Sequence, residues 1–209
     1  AVTGNTRRYG ASLEKITKVI ESRPGEIMFG LNMIVSKGKT VFVGDTSVHE
    51  YPSSEQLAEI AISSARVVRL FGFDPKVAFV SHSTFGQPLT SRTKHIKNAV
   101  NILKEKNVDF KFDGDMQPDV ALNSQYKELY PFSELVGNAN ILIMPGQHSA
   151  AISYKMMREL GGAKVIGPLL IGLGQPIEIA PLRSSTSDIL NLASVAAYSA
   201  GVINYDKKN

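Results

Sequence analysis

Hydroxyls, a glycine and free backbone amides crowd into Ser81-His82-Ser83-Thr84-Phe85-Gly86, directly after a strand-like run and ahead of a helix-like one. Open α/β sheets place ligands at such carboxyl ends of strands. Hydroxyls and amides placed there can hold a phosphate or a carbonyl oxygen. A plain Ser/Thr/Gly turn has the same composition, so residue types alone leave both readings open. A second such place is Ile141-Leu142-Ile143-Met144-Pro145-Gly146-Gln147-His148-Ser149, an apolar run opening into a helix. His148 at that helix start could donate to an anion, although a lone histidine is more often a satisfied loop residue. Gly114-x-x-Gln117-x-Asp119 reads as a turn followed by a helix cap. No serine stands in a G-x-S-x-G elbow, and no nucleophile–base pair emerges from spacing. His49 and His95 lack acidic or histidine partners at ligand spacing, so no metal is assigned.

The elements that must position these groups alternate between helical and strand periodicity, as in a mainly parallel α/β sheet flanked by helices. Leu13, Ile16 and Ile20 predict a short helix that Arg23-Pro24-Gly25 ends. Strands over 26–36 and 39–44 are joined by Lys37-Gly38 as a tight hairpin. A helix is expected over 53–71, opened by a capping box of Ser53 and Gln56. Then follow a strand 76–81, a helix 92–106, a strand 108–112, and a turn at Asp113-Gly114-Asp115. A weak helix 118–129, a strand 140–144, a helix 149–160 and strands 164–169 and 176–179 come next. The last helix, 187–201, carries Ala193, Ala196, Ala197 and Ala200. These small residues form a candidate contact with a second copy, hence a homo-oligomer. Residues 205–209 are expected to fray.

Composition narrows the function classes. The chain has 209 residues, 43% of them hydrophobic and 20% charged, so it can bury a sizeable core. Its net charge of +4 is scattered, apart from five basic residues against one acidic between 92 and 106. A nucleic-acid surface would want a denser stripe interleaved with aromatics, so no nucleic-acid partner is expected. An anionic metabolite suits the modest surplus better. No apolar run approaches the ~20 residues of a membrane span, and no signal peptide opens the chain, so no membrane partner is expected. The absence of cysteine excludes disulfides and a thiol nucleophile, and agrees with a cytoplasmic location.

Four motifs fall in the order found in phosphotransacetylases, and the chain resembles that family from about Thr3 to Gly201. Ser81–Gly86 is similar to the family's S-x-S-T-x-G. Gly114–Ala121 resembles G-E-L-Q-F-D-A-A. The 141–155 stretch shares Pro145, Tyr154 and Lys155 with I-L-V-x-P-x-L-N-T-G-N-x-x-Y-K, with His148 and Ser149 standing at N-T. Gly167-Pro168-Leu169-Leu170-Ile171-Gly172-Leu173 matches G-P-I-x-Q-G-L, with Ile171 at the glutamine. The most telling stretch is Gln175–Asp188, which lies without a gap on K-P-V-N-D-L-S-R-G-C-S-D-E-D. Pro181 replaces the catalytic serine, Leu182 replaces the arginine, and Asp188 is kept. Glu14 likewise stands at a family arginine.

The resemblance implies an isopropylmalate dehydrogenase-like, phosphotransacetylase-like fold. It also implies an acyl-CoA or phosphate site built from Ser83, Thr84, Gly86, His148, Ser149, Arg183 and Asp188 that binds without turnover. Three loops, at Ser83–Gly86, His148–Ser149 and Pro181–Asp188, are expected to converge on one cleft. The motif details are similar to the acyltransferase-like C-terminal domain of bacterial NADP-dependent malic enzymes. The chain is then expected to be a fragment, with residues 1–170 forming the second α/β subdomain and 171–209 returning to the first. Acetyl-CoA is the implied ligand and a malic enzyme domain the implied partner, with NADP and a divalent metal held in that other domain. Two alternatives stand beside this reading: an active phosphate acyltransferase using Arg183, and a purely structural oligomerisation domain.

Overall fold

The computed structural model describes residues 1–206. In chain order the strands are β1 (Val2–Gly4), β2 (Phe29–Ser36), β3 (Lys39–Gly44), β4 (Lys76–Val80), β5 (Lys111–Met116), β6 (Ile141–Ile143), β7 (Lys164–Ile171) and β8 (Glu178–Ala180). The helices are α1 (Tyr9–Thr17), α2 (Ser54–Leu70), α3 (Ser91–Glu105), α4 (Pro118–Leu122), α5 (Gln147–Gly161) and α6 (Thr186–Asp206), with a 3-10 helix at Ser124–Leu129.

Six strands form one sheet in the order β5-β4-β6-β3-β2-β7. From β5 through β3 they run parallel, and β2 is antiparallel to both β3 and β7. A separate parallel pair joins β1 to β8. This is the mainly parallel α/β sheet that the alternating periodicity predicts. The apolar runs are continuous because both sheet faces are covered. Side chains alternate accordingly: Ile141, Ile143, Val77 and Phe79 pack with α2 and α3. Leu142, Met144, Ala78 and Val80 pack with α4 and α5 on the other face.

Local chemistry explains the element ends. The β2–β3 hairpin turns at Lys37 (φ 49°) and Gly38 (φ 74°), the double positive φ of a type I′ turn, which matches the strands' twist. Ser53 accepts the Gln56 N–H at 3.2 Å and Gln56 Oε1 accepts the Ser53 N–H at 2.7 Å, closing the expected capping box of α2.

Three expectations are corrected. The strand placed at 108–112 runs instead over Lys111–Met116, so Asp113-Gly114-Asp115 is strand rather than turn. Aspartate and glycine are poor strand formers, but here each carboxylate has donors from neighbouring segments. Ser133 Oγ and the Glu134 N–H, both at 2.8 Å, bind Asp113. Ser83 Oγ and the Gly86 N–H bind Asp115. The helix placed at 118–129 is a short α4 followed by the 3-10 helix. In α6, Ala196 is buried within its own chain (5% exposed) while Ala193 and Ala197 are exposed, so the four alanines do not form one free face. The expected fray at 205–209 falls largely outside the described residues.

Candidate anion-binding site

A cavity of about 630 Å³ opens where the start of α1, one side of α5, the β3 exit, β7 and the β8–α6 loop meet. That size suits a metabolite-sized ligand. Arg8, Lys155, Arg158, Lys164 and Arg183 line it, against Asp188 as the one acidic lining residue. Arg158 is held by Glu159 at 2.8 Å. Arg8, Lys155, Lys164 and Arg183 make no ion pair with any described residue. Concave walls lined by one sign of charge concentrate the field, so the cavity favours anions.

The walls are rigid for local reasons. Asp45, 1% exposed, ends the β3 exit by accepting the N–H groups of Gly30, Ser47, Val48 and His49, and it also bonds His49 Nδ1 at 2.8 Å. That array sets Thr46 and Ser47 on the cavity wall. Ser47 Oγ meets the Tyr9 hydroxyl at 3.4 Å, and burial pushes that phenol far up, keeping it protonated. Burial also raises Tyr154, against the opposing pull of Arg158 and, more weakly, of the Asn32 amide. Asn32 lies fully buried in β2, where its Oδ1 accepts from Thr46 Oγ1 while its Nδ2 has no full partner. Asn191 Nδ2, on a residue lining the cavity, is likewise buried without a partner. The unpaired Asn191 amide beside these cations suits an oxygen-rich ligand.

The β8–α6 loop is tightly pinned. Ser184 sends both its N–H and its hydroxyl to the Pro181 carbonyl, at 3.2 and 2.7 Å. Arg183 takes positive φ (63°). Pro181 and Leu182 line the cavity beside it, presenting neither hydroxyl nor charge.

The sequence-predicted residues divide among three places. Arg183 and Asp188 lie together on the large cavity, as do Tyr154 and Lys155. His148 faces away, its Nε2 3.0 Å from Glu50 and its ring stacked on Tyr51 at 6.4 Å. Ser149 Oγ donates to the Gly146 carbonyl at 2.8 Å. Ser83 is fully buried and donates to Asp115, Gly86 bonds the same carboxylate, and Thr84 Oγ1 accepts the Gln117 N–H. Their loop touches a second cavity, of about 200 Å³, through Phe85, beside Asp115 of β5. Only the last of the three loops is therefore part of the large cavity's lining. Glu14 is on the surface, paired with Lys18 at 2.7 Å. Among the described residues no group of three His, Asp or Glu could hold a metal, and no helix is long and apolar enough to cross a membrane.

Sequence reasoning missed Arg8, Thr46, Ser47, Arg158, Lys164, Asn32 and Asn191. Asn32 had a visible signal, a lone amide in the apolar run Phe29–Val35. The rest sit in unremarkable local patterns that only folding brings together.

A family model described as phosphate acetyl/butaryl transferase matches residues 1–197. An NADP-dependent malic enzyme from Rhizobium meliloti is 48% identical over 96% of this chain, which spans 26% of that protein. A phosphate acetyltransferase from Bacillus subtilis is 31% identical over 95% of the chain, which spans 62% of it. Among solved structures, a phosphotransacetylase from Streptococcus pyogenes superposes with a TM-score of 0.88 at 29% identity, over 95% of this chain and 62% of that one.

Proposed function

Since the chain belongs to the phosphate acetyl/butaryl transferase family, we propose that it is a non-catalytic, acyl-CoA-sensing regulatory and oligomerisation domain of an NADP-dependent malic enzyme. The observation that carries this reading is the large cavity itself. It combines five cationic side chains and the Asn191 amide with an apolar Pro181-Leu182 lip. Coenzyme A thioesters bring several phosphate charges for the former and an acyl chain for the latter. Acyl transfer needs developing negative charge to be stabilised, and losing one donor commonly costs ~10²–10³ in rate. Here both the hydroxyl and the guanidinium of the related loop are replaced. The 48% identity to a malic enzyme supports the wider context. In that context oxidative decarboxylation of malate, NADP and the divalent metal belong to another part of the protein.

Regulation requires the ligand to favour one state of the assembly, typically by about 1–3 kcal/mol. The test uses the full-length protein. Acetyl-CoA binding, acetyl phosphate formation, and malate oxidation with and without acetyl-CoA are measured together. Binding with altered malate oxidation and no transfer supports the reading. Neither binding nor transfer would leave a structural domain.

A second reading, an active phosphate acyltransferase, has Arg183 in its favour, since that guanidinium lines the cavity one position after the missing arginine. Its neighbour Ser184 is committed to the Pro181 carbonyl. Detectable acetyl phosphate formation would favour this second reading.

A further inference from the structure

The large cavity lies on a seam between two packed bodies. Its α5, β7 and β3-exit walls belong to the six-stranded sheet, while α1 and α6 pack on the separate β1–β8 pair. Strand β7 is an edge of the large sheet, and no ladder joins it to β8. A side chain bridges them instead: Glu178 Oε2 of β8 accepts the Leu170 N–H of β7 at 2.9 Å. Both sides of this bridge continue into the cavity lining, through residues 164–168 and 181–184. Glu178 is 3% exposed and forms no ion pair with any described residue. A carboxylate buried without a cation is costly, so the neutral acid is favoured, and burial lifts the group to about 8. The neighbouring elements offer little to offset an ionised Glu178. From α1 come the Tyr9 phenol, which burial and the nearby Glu178 keep protonated, and Arg8 at the helix start, with Glu14 and Lys15 on the surface. Strand β7 adds Lys164 at its far end, and α6 adds Asp188, tied to Ser185. The Ala1 amine, beside β1, bonds the Pro176 carbonyl at 2.7 Å.

We propose that Glu178 is a proton-controlled latch across this seam, which makes the cavity's affinity for anions depend on pH. Protonated, it holds β7 to β8 and puts no charge behind the cavity. Ionised, it sets a negative charge near Tyr9, a residue of the cavity wall. The cost of burying that charge is relieved by movement toward water, which parts β7 from β8. Both effects disfavour a bound anion, so anion and proton bind together. Affinity is full at pH 7, where Glu178 is protonated, and falls as pH rises through about 8. By reciprocity, an anion bound at pH 8 draws a proton onto Glu178. The inference rests on the anionic-ligand reading above and adds its regulation.

The test measures acetyl-CoA binding to the full-length protein by calorimetry between about pH 7 and 9. Phosphate monoesters titrate near ~6, so the ligand's own charge is constant over that window. If the bound anion raises Glu178 by about one pKa unit, wild type loses about fivefold in affinity across it. The same shift implies uptake of about 0.4 proton on binding at pH 8, read from buffers of different ionisation enthalpy. Glu178→Gln keeps an acceptor for Leu170 and cannot ionise. It should match wild type at pH 7, hold that affinity to pH 9, and take up no proton. Equal pH profiles in the two folded proteins would overturn the latch and leave the ligand reading intact. Absence of proton uptake by wild type at pH 8 would overturn it whether or not the variant folds. Sulfate, which does not titrate in this range, is the second probe. Sulfate binding with the same contrast between the two proteins, but no acetyl-CoA binding, would uphold the latch and remove the acyl-CoA reading. Binding of neither anion at pH 7 would overturn both.

Discussion

Asp188 and Ser185 hold each other across the first turn of α6. The Asp188 carboxylate accepts the Ser185 N–H at 2.9 Å and its hydroxyl at 2.7 Å, while Ser185 Oγ accepts the Asp188 N–H at 3.2 Å. This is a reciprocal helix cap. Asp188, the one acidic residue lining the large cavity, thus has a structural duty. Asp188→Ala is expected to lower stability by about 1 kcal/mol, seen as a lower denaturation midpoint. An unchanged midpoint would show the cap to be idle.

The free cations of the cavity should govern affinity for anions. Arg183→Ala and Lys164→Ala are each expected to weaken acetyl-CoA binding about 10- to 100-fold, in line with a lost charged hydrogen bond. Calorimetry at two ionic strengths checks this, because binding through these charges also weakens with salt. Equal affinities in wild type and both variants would place the ligand elsewhere.

Pro181→Ser with Leu182→Arg restores the hydroxyl and guanidinium in the full-length protein. Acetyl phosphate formation should rise from near background by an order of magnitude or more. Substantial transfer by the unmodified protein would mean that the loop has another catalytic solution.

Ser83 donates to Asp115, which is 1% exposed. Removing a donor from a buried carboxylate costs on the order of 1–3 kcal/mol. Ser83→Ala should therefore lower thermal stability while leaving acetyl-CoA affinity within twofold. A large loss of affinity at unchanged stability would return Ser83 to the ligand site.

Glu178, buried in β8, has its carboxyl raised from 4.5 to about 8 by burial, against the Leu170 N–H it accepts at 2.9 Å. Below pH 4.5 it is protonated in folded and unfolded chains alike. Between about 4.5 and 8 the unfolded chain releases the proton and the folded chain keeps it, so stability falls as pH rises, and the slope ends above 8. Its contribution over that window has an upper bound of about 4–5 kcal/mol. Glu178→Gln, which keeps an acceptor for Leu170, should flatten the dependence of melting temperature on pH between 5 and 8. An identical slope in both proteins would refute the assignment.

Local patterns carried far in this chain. Lys37-Gly38 specified its turn because few residue pairs tolerate two positive φ angles in succession, and Ser53 with Gln56 specified the start of α2 through bonds spanning three residues. Runs such as Ile141–Ile143 announced strands covered on both faces. The β5 boundary failed because Asp113 and Asp115 are satisfied by Ser133 and Ser83, partners 20 and 32 residues away.

What the sequence determined by itself was the order of elements, the family likeness and an apolar Pro181-Leu182 pair in the β8–α6 loop, since each is written in neighbouring residues. Only the tertiary structure decided which polar groups share a site. Arg8, Lys155, Lys164 and Arg183 come from four separate segments of the chain and meet on one cavity. Ser83, despite its motif, is turned inward by a buried aspartate on the next strand. The reason is physical: the electrostatic cost of burial depends on which charges and donors lie within a few ångströms, and that distance is set by packing between segments far apart in the chain.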